Sequence, residues 1–246
     1  MQTQPIALPD ADRVRHVIFD LDGTLIDHFT TIYRCYCHAI EKMGLPVASY
    51  ETVRATVGGS VPVTMARLIG ETKAAEAVTY YHEYFAKIEL EGVHPMPGMR
   101  WLVDGLHALG KTLAVFTNKE GAPSRRIIAH LGLDTHFGAV FGTRDTPWRK
   151  PQPEATAHVL TALEARPETT VLIGDSPFDI AAAAVGSVAS LVVATGSHTA
   201  AELSVAEPSP SAVYPTFYEL GAQYFKLTPP PEEQRERLED IPMPAS

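Results

Sequence analysis

The chain has 246 residues, which is long enough to bury a full hydrophobic core as one large domain or two small ones. Its formal net charge of −9 argues against nucleic acid or an anionic membrane surface as a partner, so small molecules are the expected ligands. No apolar stretch approaches the length of a membrane span, and the first residues lack the basic start and apolar block of a signal peptide, which predicts a cytoplasmic protein.

Five short apolar segments predict β-strands, and helical patterns lie mostly between them. The segments are residues 16–19, 112–116, 139–141, 170–173 and 190–194. Strands that alternate with helices are typical of a parallel sheet covered on both faces. The sequence therefore predicts an α/β fold with a Rossmann-like, doubly wound parallel sheet.

A long helical stretch, residues 29–93, separates the first two predicted strands and is too long for a single crossover. Its apolar residues recur at helical spacing in two stripes, and the first stripe stops at Gly44. The stripes are Ile32, Tyr36, Ala39, Ile40 and Met43, then Val78, Tyr81, Phe85 and Ile88. Residues 94–98 contain two prolines and a glycine, which predicts a stiff returning linker. The pattern predicts a small all-helical cap domain inserted after the first strand.

The expected domain boundaries follow from these segments. We assign residues 13–28 and 94–227 to the α/β core domain and residues 29–93 to the helical cap. The two ends of the chain, residues 1–12 and 228–246, are polar and rich in proline. We expect loose termini there.

The first predicted strand ends in two carboxylates, Asp20 and Asp22, followed by Gly23, which lets the chain turn sharply, and Thr24. The ends of strands are where α/β proteins place their chemistry. Two like charges this close are costly unless one is protonated or a cation lies between them. The pair therefore indicates a metal site, a proton-transfer site or both. Thr24 either stabilises the turn backbone or takes part in that site.

Three later segments add polar residues beside the predicted strand ends. Thr117 and Asn118 end the second strand with neutral hydrogen-bond donors that suit an oxyanion, and Lys150 supplies a cation from a loop. Asp175 and Asp179 follow the fourth strand. These groups converge if the strands are parallel neighbours. Such a site suits a hard cation that takes oxygen ligands and shares the phosphate oxygens of a substrate.

Some of these residues also have a purely structural interpretation. Ser176 and Asp179 are typical of a capping box at the start of a helix, a role that is compatible with a bond from Asp179 to Lys150. Lys119 and Arg149 are expected to be surface charges. The tyrosines between residues 80 and 84 and the ten histidines are expected to be core or surface residues.

Together these residues resemble the motifs of the haloacid dehalogenase superfamily, specifically its phosphatase branch with a helical cap after the first motif. The residues that match the four motifs are, in order, residues 20–24, Thr117 with Asn118, Lys150, and Gly174-Asp175 with Asp179. Each short motif is weak evidence alone, whereas all four in order at strand ends are strong evidence. Residues 117–119 and 150–154 also resemble phosphoglycolate phosphatases and their close relatives.

The resemblance implies phosphoryl transfer in two steps. Asp20 would attack the phosphorus to give an aspartyl-phosphate, which water then hydrolyses. Asp22 would protonate the leaving oxygen and later deprotonate that water. Family dehalogenases carry no acid at this position, because a halide needs no proton. The acid at position 22 therefore favours phosphate esters.

The resemblance also implies a Mg²⁺ cofactor and a phosphate-binding set. Mg²⁺ would be held by the carboxylates of Asp20 and Asp175 and by the backbone carbonyl of Asp22. The phosphate-binding residues would be Thr117, Asn118 and Lys150, and the supporting residues Asp179, Thr24 and Gly23.

The implied function is the hydrolysis of a small phosphorylated metabolite, with phosphoglycolate as one candidate. A phosphomutase of the same family, a pyrophosphatase and a non-catalytic binding module remain as alternatives, and the oligomeric state stays open. The cap should select the substrate. The turn at residues 57–62 is either a plain glycine turn or a loop that dips into the site, and Trp148 either closes the pocket or packs under the cap.

Overall fold

The residues His16–Phe19 form strand β1, which is buried on both faces because helices cover both sides of its sheet. The computed structural model describes residues 4–242. The further strands are β2 (Ile26–Asp27), β3 (His94–Pro95), β4 (Thr112–Glu120), β5 (Phe137–Thr143), β6 (Thr170–Gly174), β7 (Ala189–Val193) and β8 (Ala212–Tyr214). One six-stranded sheet has the order β5-β4-β1-β6-β7-β8 with all neighbours parallel, and β2 pairs with β3 in an antiparallel ladder.

Two helical layers cover this sheet. The helices are α1 (Phe29–Lys42), α2 (Tyr50–Thr56), α3 (Val61–Ile69), α4 (Glu71–Ile88), α5 (Met99–Ala108), α6 (Gly121–His130), α7 (Pro153–Ala162), α8 (Pro177–Val185), α9 (Ala200–Ser204) and α10 (Phe217–Gln223). Val17 and Phe19 of β1 pack in one hydrophobic cluster with α5, α6 and α10. Ile18 points to the opposite face and packs with α7 and α8. The predicted doubly wound α/β fold is confirmed.

Helices α1–α4 form a helical insert between β2 and β3, with a hydrophobic cluster of its own. Both predicted apolar stripes pack into this cluster, Met43 and Val78 from its half-buried margin. Helix α1 ends just before Gly44, whose φ of 66° is a left-handed conformation that glycine adopts without strain.

The five predicted strands are all present, and their bounds differ by a few residues. Strand β4 runs four residues beyond the predicted end, to Glu120, and β5 extends the predicted segment in both directions. The short strands β2, β3 and β8 were not predicted. The predicted return linker begins with β3, so the insert is joined to the core through a two-stranded ladder rather than through proline-stiffened coil alone.

The C-terminal segment lies against the core, in contrast to the loose terminus predicted for residues 228–246. The Trp101 indole donates to the Thr228 carbonyl at 3.2 Å, and the Glu236 carboxylate accepts from the Gly98 amide at 3.1 Å. Ile6 and Ile241 pack against the main hydrophobic cluster. The first three and last four residues of the predicted termini lie outside the described residues.

Among residues 4–242, no helix combines the length and the apolar character needed to cross a membrane.

Candidate active site

Three adjacent strands place the predicted site residues at one edge of the sheet. In the register of the ladder, Phe19 of β1 lies beside Val115 of β4 and Ile173 of β6. The residues that follow these positions are therefore neighbours at the carboxyl edge, which brings Asp20 near Thr117 and Asp175. Asp20 also continues the ladder, because its amide donates to the Ile173 carbonyl at 2.9 Å.

Lys150 links two of the predicted carboxylates. Its Nζ lies 2.8 Å from Asp20 Oδ1 and 2.6 Å from Asp179 Oδ1, and the lysine side chain is buried. Although burial alone would lower the pKa of Lys150, the carboxylates of Asp179 and Asp20 raise it. The ammonium approaches Asp20 Oδ1 as an ion pair but off the direction of a hydrogen bond, so this oxygen keeps acceptor capacity for another ligand.

Asp179 has both of the roles considered for it. Its Oδ2 accepts from the amide of Ser176 at 3.1 Å and from the Ser176 hydroxyl at 2.6 Å, which closes a capping box at the start of α8. Its other oxygen accepts from Lys150. The start of one helix thus fixes the position of the site lysine.

The carboxylates of Asp20, Asp175 and Asp179 form a buried acidic cluster whose potential ligand oxygens lie within 4.8 Å of one another. Burial raises the pKa of Asp20 to about 6, with Asp179 adding to the rise while Lys150 opposes it. Burial, then Asp179 and Asp20, also raises the pKa of Asp175. Three carboxylates beside one ammonium leave an excess of negative charge, and this donor set fits a hard divalent cation.

Small residues leave room for the Asp175 carboxylate. The Thr24 hydroxyl donates to Asp175 Oδ1 at 2.9 Å, so Thr24 contacts the site directly. A Cβ atom built on Gly23 would lie 2.5 Å from Asp175 Oδ2, and one built on Gly196 would lie 1.7 Å away. Gly23 also has a φ of 87°, which other residues rarely adopt.

Asp22 is turned away from this acidic cluster towards Lys119. Lys119 Nζ donates to Asp22 Oδ1 at 3.1 Å and to Oδ2 at 2.9 Å, and it lies 4.9 Å from the ring centroid of Phe85 in α4. The expectation that Lys119 is a surface charge is wrong, because its side chain is only 8% exposed. Arg149, by contrast, is exposed as expected.

Thr117 and Asn118 are buried at the end of the regular pairing of β4 with β5. The Thr117 hydroxyl oxygen accepts from the Lys119 amide at 3.1 Å. The Asn118 amide group donates to the Gly58 carbonyl at 3.0 Å and to the Lys150 carbonyl at 3.1 Å, while its oxygen accepts from the Lys150 amide at 2.9 Å. The Asn118 side chain thus contacts both the Lys150 loop and the insert, and its contact with a phosphate stays a prediction.

A family model described as haloacid dehalogenase-like hydrolase matches residues 17–193. The chain belongs to the haloacid dehalogenase-like hydrolase family. It is similar to a protein of Dickeya dadantii named probable phosphatase IndB, with 32% identity over 218 residues that cover 86% of this chain and 94% of that protein.

Two solved structures share the fold of this chain. The Mycobacterium tuberculosis protein tyrosine kinase A has a TM-score of 0.74 and 30% identity, covering 86% of this chain and 98% of that one. A predicted phosphoglycolate phosphatase from Haemophilus somnus has a TM-score of 0.76 and 22% identity, covering 85% and 96% of the two chains. At 22% identity the second likeness concerns the fold alone.

In this haloacid dehalogenase-like hydrolase the insert covers the site. An inner pocket of about 40 Å³ lies beside Asp22 and is lined by the aromatic side chains of Tyr36, Tyr81 and Phe85. The glycine turn reaches the core, because the Gly58 carbonyl accepts from Asn118. The helical pattern of the sequence marks Tyr81 and Phe85 only as core residues, and nothing in that pattern indicates that they also line a pocket.

Proposed function

We propose that this protein is a Mg²⁺-dependent phosphatase that hydrolyses a small phosphate monoester through an aspartyl-phosphate intermediate. The observation that carries the proposal is the position of Asp20, a buried strand-end carboxylate that lies 2.8 Å from Lys150 inside an acidic cluster. Such a carboxylate can act as a nucleophile towards phosphorus when nearby positive charge offsets its own charge and that of the phosphate. The proposal includes action in the cytoplasm.

Asp22 is proposed as the acid and base of the reaction. It would protonate the leaving oxygen in the first step and take a proton from the attacking water in the second. Lys150 and Thr117 would hold the phosphate oxygens as charge develops on them. Asn118, which follows Thr117 at the same strand end, would contact the phosphate with them.

Asp20 and Asp175 would hold Mg²⁺ together with the backbone carbonyl of Asp22, and Asp179 lies close enough to orient that set. When bound, the metal supplies positive charge for the phosphate oxygens. Thr24 and the glycines around Asp175 keep its carboxylate in place, so their effect on the reaction is through the orientation of that ligand.

The test is a phosphate-release screen over phosphomonoesters and pyrophosphate, with and without Mg²⁺. We expect release from a monoester that requires Mg²⁺ and that is lost in Asp20→Asn. Activity that survives this substitution or EDTA would overturn the mechanism. Transfer of phosphate to an organic product, without free phosphate, would identify a phosphomutase instead, and release from pyrophosphate alone would identify a pyrophosphatase.

Metal binding gives a second readout. In isothermal titration with Mg²⁺, Asp175→Asn should weaken binding, whereas Asp22→Asn should retain it because the proposed contact uses the backbone. Equal losses in the two variants would contradict this assignment of ligands.

A further inference from the structure

A second, larger chamber opens from the inner pocket and has no part in the proposed chemistry. Its volume is about 220 Å³, against about 40 Å³ for the inner pocket beside Asp22. The two spaces share four lining residues, which makes them neighbouring compartments of one site. The shared residues are Val61, His82, Asn118 and Glu120. A substrate phosphate near Asp20 could therefore extend its alcohol portion into the chamber.

One wall of this chamber offers an aromatic surface. Trp148 lines it and is 36% exposed, so part of this residue remains accessible to a ligand. The indole contacts His158 only in a tilted arrangement, with ring centroids 6.3 Å apart. Pro62 and Pro147 line the same chamber. An accessible indole in a cleft of this kind suits a planar ring, which can stack on it.

The passage between the two compartments is polar. Glu120 lies 3.3 Å from His82 Nε2 and 2.8 Å from Arg144 Nε, and Asn118 lines the same passage. These side chains supply hydrogen-bond acceptors and donors between the inner pocket and the indole. The hydroxyl groups of a substrate could form hydrogen bonds with these side chains.

A two-carbon acid ester fits this arrangement poorly. The turn at residues 57–62, which borders both compartments, carries no basic side chain to bind a carboxylate. Lys119 is the cation beside Asp22, and it already donates to both oxygens of that residue. A substrate as small as phosphoglycolate would also leave the chamber beside Trp148 unused.

We infer that the substrate is a nucleoside 5′-monophosphate, bound with its phosphate at Asp20, its ribose in the polar passage and its base against Trp148. This inference rests on the proposed function and names the substrate class of the same site. Trp148 is assigned as a specificity-determining residue that contacts the part of the substrate farthest from the reacting phosphorus.

The test compares three phosphomonoesters: uridine 5′-monophosphate, ribose 5-phosphate, which lacks the base, and phosphoglycolate, a two-carbon acid ester that lacks both base and ribose. The nucleotide should exceed ribose 5-phosphate in kcat/KM by about tenfold, the size of one base stacked on an aromatic side chain. Trp148→Ala should lower that ratio about tenfold and Trp148→Phe should restore part of it. Leu109→Ala, which removes an exposed apolar side chain elsewhere, should keep the ratio.

Direct binding gives an independent readout. The chain has two tryptophans, so Trp101→Phe combined with Asp20→Asn leaves Trp148 as the single fluorophore in a protein that should not turn over. Its fluorescence should change on addition of uridine 5′-monophosphate and not of ribose 5-phosphate.

The outcomes separate the inference from the proposed function. A nucleotide to ribose 5-phosphate ratio near one, a ratio insensitive to Trp148→Ala, or a preference for phosphoglycolate would overturn the inference while leaving the phosphatase intact. If no ester releases phosphate, the proposed function fails, and the fluorescence titration still decides whether the nucleotide binds at Trp148.

Discussion

The Lys150 ammonium neutralises only part of the negative charge that the fold collects around it. Asp20 and Asp179 each contact its Nζ, whereas Asp175 completes the acidic cluster and is bonded to Thr24 instead. Burying three carboxylates beside one cation costs free energy, which is the physical reason that the pKa values of Asp20 and Asp175 rise. Binding of a divalent cation, as proposed for this site, would remove much of that cost.

His28 gives a prediction about stability against pH. Its ring is buried just before α1, with Nε2 3.0 Å from the Glu91 carbonyl oxygen, and burial lowers its pKa to about 3. The unfolded chain binds a proton on this residue near pH 6.5, whereas the folded chain does not. The folded state therefore loses stability as the pH falls below 6.5, by up to about 1.4 kcal/mol per pH unit from this group.

The measurement is urea unfolding of the wild type and His28→Gln between pH 8 and pH 5. The free energy of unfolding should fall more steeply with decreasing pH in the wild type, since glutamine does not titrate. His130→Gln, which alters an exposed histidine, should follow the wild-type curve. Parallel curves for the wild type and His28→Gln would show that the buried ring does not control this dependence.

The sequence allows the position of some site residues to be predicted, but not the contacts of others. Asp20 and Asp175 could be placed because residues after parallel strands meet at one sheet edge, whatever the loops do. The partner of Lys119 could not, because it lies 97 positions away and is reached only through the paths of two loops. The phosphate contact of Asn118 stays a prediction, and the bonds from its side chain to the Gly58 and Lys150 carbonyls have no signature in the sequence.

At the scale of elements, the start of α8 connects helix capping to the site. Ser176 and Asp179 cap the helix, and the same Asp179 holds Lys150. The capping box was foreseeable because its side-chain spacing is local. Strands β2, β3 and β8 were not, since a segment of two or three residues is too short to show a period of two. Whether such a short segment forms a strand depends on the neighbouring strand that pairs with it.

Ser176→Ala separates capping from site geometry when it is compared with Thr199→Ala, which removes the hydroxyl of the capping box of α9. Each substitution should lower the free energy of unfolding by about 1 kcal/mol, because Thr199→Ala leaves the Glu202 amide without its cap and Ser176→Ala removes the hydroxyl that donates to Asp179. Ser176→Ala should also lower phosphatase activity, since Asp179 loses one of the groups that position it. Denaturant unfolding and phosphate release measure the two effects. Equal activity in both variants would show that capping does not position Asp179.

At the scale of the whole molecule, the insert is held over the site from several directions. Arg54 of α2 donates to the Gly196 carbonyl at 3.0 Å, and Asn118 of the core donates to the Gly58 carbonyl at 3.0 Å. The Lys119 ammonium adds its contact with the Phe85 ring in α4. These three contacts join the insert to the core on different sides of the site.

The C-terminal segment braces the chain where it returns from the insert. Glu236 accepts from the Gly98 amide, three residues after β3, and its own amide donates to the Tyr218 hydroxyl at 3.2 Å. The Arg235 guanidinium lies 5.4 Å from the ring centroid of Tyr218. The composition of this segment predicts a loose terminus. Composition does not reveal these contacts, because they are few and join residues that are far apart in the sequence.

Glu236→Ala tests this bracing, with Glu233→Ala as the matched control from the same segment. Loss of the charged acceptor for the Gly98 amide should lower the free energy of unfolding by about 1–2 kcal/mol, because that amide then lacks its carboxylate partner. Both glutamates are exposed, but Glu233 contributes no hydrogen bond of this kind to the described structure, so its replacement should change stability by less than about 0.5 kcal/mol. Urea unfolding at pH 8 measures both. Equal stabilities would show that the segment rests on the core without bracing it, whereas a selective loss in Glu236→Ala would establish that the return from the insert depends on the C-terminal segment.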